Sequence, residues 1–208
     1  KILTIIGVSG KTKTILDGLE NFGILKMSNG TSSDLSYLKV SGITFKKGFK
    51  RNDYGNALYI RDVDEVSIVD CNFESKLGVP IYIDKARLKF QNVSIVSPQG
   101  NMVLHNSRGF NVENSSFASA DQERVVAIGA SDVQGDNFIG SSSFENAFMN
   151  VNRHSGNGGS LVIQSSAFKN FTGSALEIVS GISVDIINST FTNITSSSSV
   201  IASDTLKI

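Results

Sequence analysis

The chain is poor in several residue types, and each shortage narrows the class of protein. Its 208 residues include two prolines, one cysteine and no tryptophan. Proline cannot donate a hydrogen bond to a β ladder, so its near absence is typical of a chain whose strands are paired on both sides. The single cysteine, Cys71, excludes a disulfide within the chain. We expect Cys71 to be a buried, inert, small apolar side chain.

Excess charge and long apolar runs are also missing. The chain has 19 basic and 19 acidic residues, and no stretch collects charge of one sign. Nucleic-acid binding and broad electrostatic membrane attachment therefore lose their main support. No apolar run approaches the roughly 18 residues that a membrane-spanning helix needs. We expect no nucleic-acid partner and no direct membrane insertion by this segment.

The chain does contain a repeated apolar pattern. Its clearest copy, residues 184–191, places apolar or small residues at n, n+2, n+5 and n+7, with a turn residue at n+4. The copies are Leu38, Val40, Ile43 and Phe45; Val66, Ile68, Cys71 and Phe73; Leu88, Phe90, Val93 and Ile95; Phe110, Val112, Ser115 and Phe117; Ser131, Val133, Asp136 and Phe138; Leu161, Ile163, Ser166 and Phe168; and Val184, Ile186, Ser189 and Phe191. The pattern indicates a repeat of about 22 residues with two insertions.

Each copy predicts two short strands that meet at a corner. Both halves alternate with a period of two, and the phase slips by one residue between them. The slip coincides with residues that tolerate left-handed backbone angles, namely Gly42, Asp70, Asn92, Asn114, Gly135 and Asn188. A third short apolar segment precedes most copies, at residues 57–60, 80–83, 126–128, 147–149, 175–178 and 200–202. Each repeat therefore contains three strands.

A repeat of this length cannot enclose a core by itself, so neighbouring repeats must cover its apolar face. Stacking them about 4.8 Å apart pairs equivalent strands in parallel and piles inward residues into columns. We predict one domain over residues 1–208, a right-handed, single-stranded parallel β-helix of the pectin-lyase-like kind with about eight coils of about 22 residues. One interior column should contain Phe45, Phe73, Phe117, Phe138, Phe168 and Phe191.

The opening text and the repeat motifs resemble a known family. Thr4–Thr12, Thr14–Gly18 and Ile43–Gly48 are similar to the first coils of adhesin-like surface proteins of methanogenic archaea. The polymorphic outer-membrane proteins of chlamydiae are a more distant likeness. Asn114–Phe117 and Asn188–Phe191 keep the Asn-Ser-Thr-Phe segment that is typical of these coils. The resemblance implies a β-helix in a fragment of a longer repeat-containing surface protein, with an adhesive role.

Two longer connections and one pair of aromatic residues are candidates for a ligand site. The connection at residues 46–53 is basic and includes Lys50 and Arg51, and residues 152–159 are rich in glycine. Both also fit plain solvated loops. Tyr59 and Tyr82 lie 23 residues apart at outward positions, so they could form an exposed stack or an ordinary cross-strand pair.

A catalytic reading has little support in the sequence. Glycosidases need two carboxylates about 5–10 Å apart, and stacking would make Asp62 and Asp84, 22 residues apart, neighbours in adjacent coils. The acidic residues around Asp62 alternate with apolar ones, as on a solvated strand edge. His105 and His154 lie in different coils without a surrounding motif. The sequence predicts no catalytic residues, no cofactor and no metal.

Six Asn-x-Ser/Thr sequons occur, at Asn29, Asn92, Asn114, Asn170, Asn188 and Asn193. Three of them fall at the n+4 corner, where we expect inward-turned amides to bond from coil to coil. If the chain is glycosylated, the expected sites are Asn29, Asn170 and Asn193. The sequons favour an extracellular or cell-surface location.

The sequence as a whole predicts a non-enzymatic adhesin or stalk segment at a microbial surface. Its expected partners are a carbohydrate or a protein on another cell. Two alternatives stay open: a structural subunit of a surface filament or sheath that self-associates through its coil ends, and a polysaccharide-cleaving β-helix enzyme.

Overall fold

The computed structural model describes residues 1–19, 24–28, 35–47, 55–76, 78–119, 125–151, 159–178, 181–195, 201–202 and 205–207. These ranges form 25 short strands and contain no helix. Accordingly, no helix within them is long and apolar enough to cross a membrane.

The strands are, in chain order, β1 (Ile2–Ile6), β2 (Ile15–Asp17), β3 (Leu25–Ser28), β4 (Tyr37–Ser41), β5 (Thr44–Lys46), β6 (Leu58–Arg61), β7 (Glu65–Val69), β8 (Asn72–Glu74), β9 (Ile81–Asp84), β10 (Arg87–Gln91), β11 (Ser94–Ser97), β12 (Met102–His105), β13 (Phe110–Glu113), β14 (Ser116–Ser119), β15 (Val125–Ser131), β16 (Asp136–Gly140), β17 (Ser143–Glu145), β18 (Ala147–Val151), β19 (Gly159–Gln164), β20 (Ala167–Thr172), β21 (Leu176–Ile178), β22 (Ile182–Ile187), β23 (Thr190–Thr195), β24 (Ile201–Ala202) and β25 (Thr205–Lys207).

Every third strand belongs to the same parallel sheet. Sheet A has nine strands in the order β1-β4-β7-β10-β13-β16-β19-β22-β25. Sheet B has eight, from β2 through β5, β8, β11, β14, β17 and β20 to β23, and sheet C has eight, from β3 through β6, β9, β12, β15, β18 and β21 to β24. The predicted parallel β-solenoid, with three strands in each coil and about eight coils, is confirmed. The repeat near 22 residues holds in the middle of the stack, whereas other coils are longer.

The core is a set of apolar columns between the three sheets. Inward residues such as Leu38, Val66 and Leu88 are fully buried and stack in register along sheet A. Phenylalanine rings fill the sheet B column, with ring centroids 4.8 Å apart for Phe45 and Phe73. The column continues as Phe117, Phe144, Phe168 and Phe191, with successive centroid distances of 5.0, 4.4 and 5.0 Å.

Phe138 does not belong to that column, so this part of the prediction is wrong. Phe138 lies on β16 in sheet A, faces outward and is only half buried, while Phe144 takes the interior position. The true copy of the repeat is Asn137, Ile139, Ser142 and Phe144, which shifts the predicted frame by six residues. The predicted corner at Gly135 correspondingly moves to Ser141, whose φ is 49°.

Asn137 explains why the frame was hard to see. It occupies an inward position where the other copies mostly have an apolar residue, and it is 2% exposed. Its Oδ1 accepts the Phe110 amide at 3.1 Å, and its Nδ2 donates to Gly135 O and Ser160 O at 3.1 and 2.9 Å. The β13–β16 ladder begins only at Asn111, so the Asn137 side chain supplies bonds that the strands do not make.

The three corners are built from residues with left-handed backbone angles. At the A–B corner these are Gly42, Asp70, Asn92, Asn114, Ser141, Ser165 and Asn188. At the B–C corner they include Lys47, Asn146, Asn170 and Asn193, and at the C–A corner Asp62, Lys85, Asn106 and Asp132. Asparagine, aspartate and glycine adopt this conformation most readily, so polar corner composition follows from backbone geometry.

Directly after the A–B corner, a column of serines links the upper coils. Ser115, Ser142, Ser166 and Ser189 each donate from Oγ to the carbonyl two residues earlier, at 2.8 to 3.1 Å. Each hydroxyl also accepts the backbone amide of the equivalent residue in the preceding coil, at 3.1 to 3.2 Å. The hydroxyls thus replace backbone partners that the bent chain cannot supply.

Cys71 occupies the same column in an earlier coil and is buried, as expected. Its Sγ lies 3.3 Å from Val69 O, the same local contact that the serines make. Desolvation by burial raises the pKa of the Cys71 thiol above its usual value.

Candidate functional site: the outer face of sheet C

Outward residues on sheet C form two parallel columns, because alternate residues of each strand face the same side. The first column runs Lys26, Tyr59, Tyr82, Val103, Gly129, Asn150 and Glu177. The second runs Arg61, Asp84, His105 and Ser131. We call these the tyrosine column and the aspartate column.

The predicted tyrosine pair is brought together in the tyrosine column. The rings of Tyr59 and Tyr82 stack with centroids 5.0 Å apart and an interplanar angle of 14°, and both side chains are half exposed. Lys26 Nζ lies 5.3 Å from the Tyr59 ring centroid, within the range of a cation–π contact. The pair therefore presents a broad aromatic step that carries one flanking cation.

The tyrosine column opens into a groove beyond Val103. Gly129 has no side chain at the position where neighbouring coils place Val103 and Asn150. The resulting groove has a volume of about 350 Å³, and Val126 and Ser131 also line it. A register shift between Val126 and Ile128 bulges β15 beside it. Bulges often reshape a sheet next to a binding site, so the groove is a candidate ligand position.

The aspartate column runs beside the aromatic step and the groove. The Asp84 side chain is 5% exposed, and Arg61 Nε donates to its Oδ2 at 3.1 Å. His105 Nδ1 lies 3.0 Å from Asp84 Oδ1, and Asn106 Nδ2 donates to the same oxygen at 3.2 Å. A buried carboxylate is tolerated only when it is paired in this way.

His105 is held in place while staying accessible. Its Nδ1 lies between the Asp84 carboxylate and the Asn106 amide, which is 2.8 Å away, and its side chain is 45% exposed. These two contacts fix the orientation of the ring and leave its Nε2 edge for a ligand hydroxyl. An arginine, a carboxylate and a histidine beside an aromatic step can together recognise a polar, ring-shaped molecule.

The predicted pairing of Asp62 with Asp84 is wrong by one residue. Arg61 stacks on Asp84, so Asp62 lies beside Lys85 instead. Asp62 binds Lys85 Nζ at 3.2 Å and Arg61 Nε at 3.4 Å. Both carboxylates are thus held by cations. In the part of the chain that the structure describes, no group of three or more His, Cys, Asp and Glu side chains could hold a metal ion.

Other predicted site residues lie in different places. Lys50, Arg51 and Asn29 lie outside the described residues, as do residues 48–53 and 152–158 of the two longer connections. Asn170 and Asn193 are half exposed and exposed, but they occupy the B–C corner. Asn193 Nδ2 donates to Asn170 Oδ1 at 3.0 Å, and Asn170 Nδ2 donates to Glu145 Oε1 at 3.1 Å.

The argument that excluded the A–B corner sequons is also wrong. Asn92, Asn114 and Asn188 are exposed and do not turn inward. Coil-to-coil bonding does occur there, since Asn92 Nδ2 donates to Asp70 Oδ1 at 2.5 Å. The orientation of these amides therefore gives no preference for Asn29, Asn170 and Asn193 as glycosylation sites.

The aspartate column was missed by the sequence reasoning, although a signal for it exists. Arg61, Asp84 and His105 each stand two residues after a member of the tyrosine column, in the segments Tyr-Ile-Arg, Tyr-Ile-Asp and Val-Leu-His. Extending the outward phase from Tyr59 and Tyr82 by one step finds all three residues. Comparisons with protein-family models, curated proteins and solved structures found no match.

Proposed function

We propose that this chain is a non-enzymatic segment of an extracellular adhesin or stalk, and that it binds carbohydrate on the outer face of sheet C. The observation that carries the proposal is the Tyr59–Tyr82 stack, which continues into the groove over Gly129. Sugar rings stack through their C–H faces on aromatic surfaces, and the aspartate column supplies hydrogen-bonding groups beside them. The resemblance to archaeal adhesin-like proteins points to the same role.

Rigidity of the platform supports an adhesive role. Strands of sheet C pair in register over successive coils, so the distance between outward groups is set by the backbone ladder. A polymer with repeated sugar units can contact several positions along such a column. Binding to a preformed surface avoids the entropic cost of ordering a flexible one.

The surface charge narrows the class of sugar. Lys26, Arg61 and Lys85 lie on or next to the candidate face, and Arg61 is 48% exposed. The carboxylates of Asp62 and Asp84 are already engaged by Arg61 and Lys85. The face therefore suits neutral or uronic-acid sugars, with Lys26 as the group that can meet a ligand carboxylate.

A glycan array on the purified chain tests the proposal. Wild type should bind a defined subset of glycans, and the double variant Tyr59→Ala/Tyr82→Ala should lose at least about tenfold in affinity, since one ring stack is worth roughly 1 kcal/mol or more. Tyr37→Ala is the matched control, because Tyr37 is a half-exposed tyrosine on sheet A. An array without wild-type binding, or one that the double variant reproduces, contradicts the proposal.

The Asp84–His105 pair favours one second candidate, a polysaccharide-cleaving enzyme. A histidine oriented by a buried carboxylate is a common arrangement for general acid–base catalysis. Release of reducing ends or unsaturated sugars from a polysaccharide panel, abolished by His105→Ala, would establish turnover. Binding without product release supports the adhesive role.

The first coil favours another candidate, a self-associating filament or sheath subunit. Large exposed apolar residues collect there, including Ile2, Val8 and Leu19, and Val8 is 96% exposed. Light scattering over a concentration series separates the two roles, because a filament subunit grows in mass with concentration and a stalk segment does not.

A further inference from the structure

A second cleft lies on sheet A, away from the tyrosine and aspartate columns. Its floor is Phe138, which stands in an outward column between Asn111 and Val162. The ring folds down over Gly140, two residues along the same strand. A Cβ added to Gly140 would lie 2.6 Å from Phe138 Cε1 and 2.8 Å from Cζ. Glycine is therefore needed at position 140 to let the ring lie flat on the strand.

Polar side chains form the rim of this cleft. Glu113 and Gln164 flank Gly140 in register, one coil to either side. Asn114, Ser141 and Ser165 close the side at the A–B corner, and the open cleft has a volume of about 300 Å³. Asn111 Nδ2 donates to Glu113 Oε1 at 3.0 Å, which orients the carboxylate before any ligand arrives.

The charges of the lining side chains restrict the ligand. Phe138 offers an apolar surface, Glu113 accepts hydrogen bonds, and Gln164 both donates and accepts them. The lining residues include one carboxylate and no lysine or arginine. A ligand carboxylate, sulfate or phosphate would meet repulsion from Glu113 without a compensating cation. Hydroxyl groups on a ring with an apolar face fit every lining group.

We propose that the Phe138 cleft is a second binding site, and that it takes one or two rings of a neutral saccharide. One ring stacks on Phe138, and its hydroxyls donate to Glu113 and bond with Gln164. The site depends on neither the groove nor the tyrosine pair, which lie on sheet C. It therefore extends the proposed function and can be tested separately from it.

The test measures binding of soluble hexasaccharides to the whole chain by titration calorimetry. The probes are a β-1,4-linked glucose hexamer, a β-1,4-linked mannose hexamer and, as the charged comparison, a galacturonic acid hexamer. We expect at least one neutral hexamer to bind. Phe138→Ala should lower its affinity about tenfold, and Phe138→Trp should restore it. Gly140→Ala should resemble Phe138→Ala, because its Cβ displaces the ring.

Matched controls keep the result specific. Lys89→Ala removes an exposed side chain from the same outward column of sheet A and should bind like wild type. Tyr59→Ala/Tyr82→Ala removes the sheet C platform and should leave this site unchanged. Thermal unfolding of each variant confirms that it is folded.

Three results would overturn the proposal. These are no binding of either neutral hexamer by wild type, equal binding by folded Phe138→Ala, and tighter binding of the galacturonic acid hexamer at this cleft. Loss of neutral-hexamer binding in Tyr59→Ala/Tyr82→Ala alone would also overturn it, because it would place that ligand on sheet C and support the proposed function instead.

Discussion

The lower half of the stack, residues 1–100, and the upper half, residues 101–195, fill equivalent positions differently. In the upper half the column after the A–B corner is an unbroken hydroxyl ladder, and four phenylalanines stack beside it. In the lower half that column holds Ile43, Cys71 and Val93, and Ile95 interrupts the aromatic stack. One backbone geometry thus accommodates two kinds of interior.

The coil of residues 88–95 shows what the interior holds constant. It has Phe90 where the neighbouring coils have Ile68 and Val112, and Ile95 where they have Phe73 and Phe117. The aromatic ring has moved from the sheet B column to the sheet A column, and the volume enclosed by the coil is kept. Cores tolerate such exchanges when total volume is conserved.

The largest expected effect concerns the aromatic stack. Phe144→Ala removes a fully buried ring with rings on both sides, and we expect a loss of about 3–5 kcal/mol in the free energy of unfolding. Phe45, which stacks on Phe73 alone among the rings, should cost less when truncated. Urea unfolding followed by circular dichroism measures both. Outward Phe138→Ala is the control and should cost about 1 kcal/mol or less.

Equal losses for Phe138→Ala and Phe144→Ala would refute the corrected frame of this coil. A larger loss at Phe45 than at Phe144 would refute the contrast between the two halves.

The volume argument gives the next prediction. Ile95→Phe should destabilise the protein by about 1–3 kcal/mol, because the coil then contains two rings where it has room for one. Adding Phe90→Ile should recover most of the loss, since the ring total returns to that of the wild type. Urea unfolding of the two single variants and the double variant measures the coupling. Simple additivity of the two single effects would show that volume is not shared between the columns.

The hydroxyl ladder gives an effect of similar or smaller size. Ser142→Ala removes the acceptor of the buried Ser115 amide, 3.2 Å away, so we expect a loss of about 1–3 kcal/mol. Ser142→Cys should lose less, because Cys71 shows that a thiol can take this position. Chemical unfolding of both variants measures the difference. If Ser142→Ala is as stable as wild type, the ladder contributes no net stability.

Backbone angles at the A–B corner give a smaller change of opposite sign. The upper half has Ser141 and Ser165 in the left-handed region, where the lower half has Gly42, Asp70 and Asn92. Glycine adopts this conformation without strain, so Ser141→Gly should raise stability by up to about 1 kcal/mol. Thermal unfolding should show a higher Tm than wild type. Asn92→Ala, the reverse change in the lower half, should lower the Tm, and a rise there would contradict the argument.

The smallest effect is the pH dependence that Cys71 introduces. Burial raises the pKa of this thiol in the folded protein above 9.0, so the unfolded chain ionises first as pH rises. The unfolded state then binds fewer protons, and stability falls above about pH 9. Cys71→Val lacks the titrating group and should lose less stability between pH 8 and pH 10. Parallel slopes for wild type and Cys71→Val would contradict the burial argument.

The sequence predicted the architecture well because the interior is periodic. Apolar alternation identified the three strands of a coil, and polar residues that tolerate left-handed angles marked most corners. The frame failed at Asn137, because a buried amide that supplies missing ladder bonds looks like a surface residue in the sequence. Phe138 then matched the closing aromatic of the repeat, although its ring covers Gly140 on the outside.

Prediction of the candidate site was less complete, for a related reason. Tyr59 and Tyr82 were found because both are aromatic and share one phase. Asp84 was placed beside Asp62 because a constant step of 22 residues was assumed, whereas the strands pair at a step of 23 there. The groove over Gly129 leaves no apolar signal, since it arises from a missing side chain and a bulge.

Hydroxyl-radical footprinting of the protein with its strongest array glycan tests the central claim most directly, because oxidation of each tyrosine reports solvent access to its ring. Sugar binding on the outer face of sheet C predicts that Tyr59 and Tyr82 are protected by the glycan while Tyr37 on sheet A is oxidised as before. Protection of Tyr37 with Tyr59 and Tyr82 unchanged would contradict it.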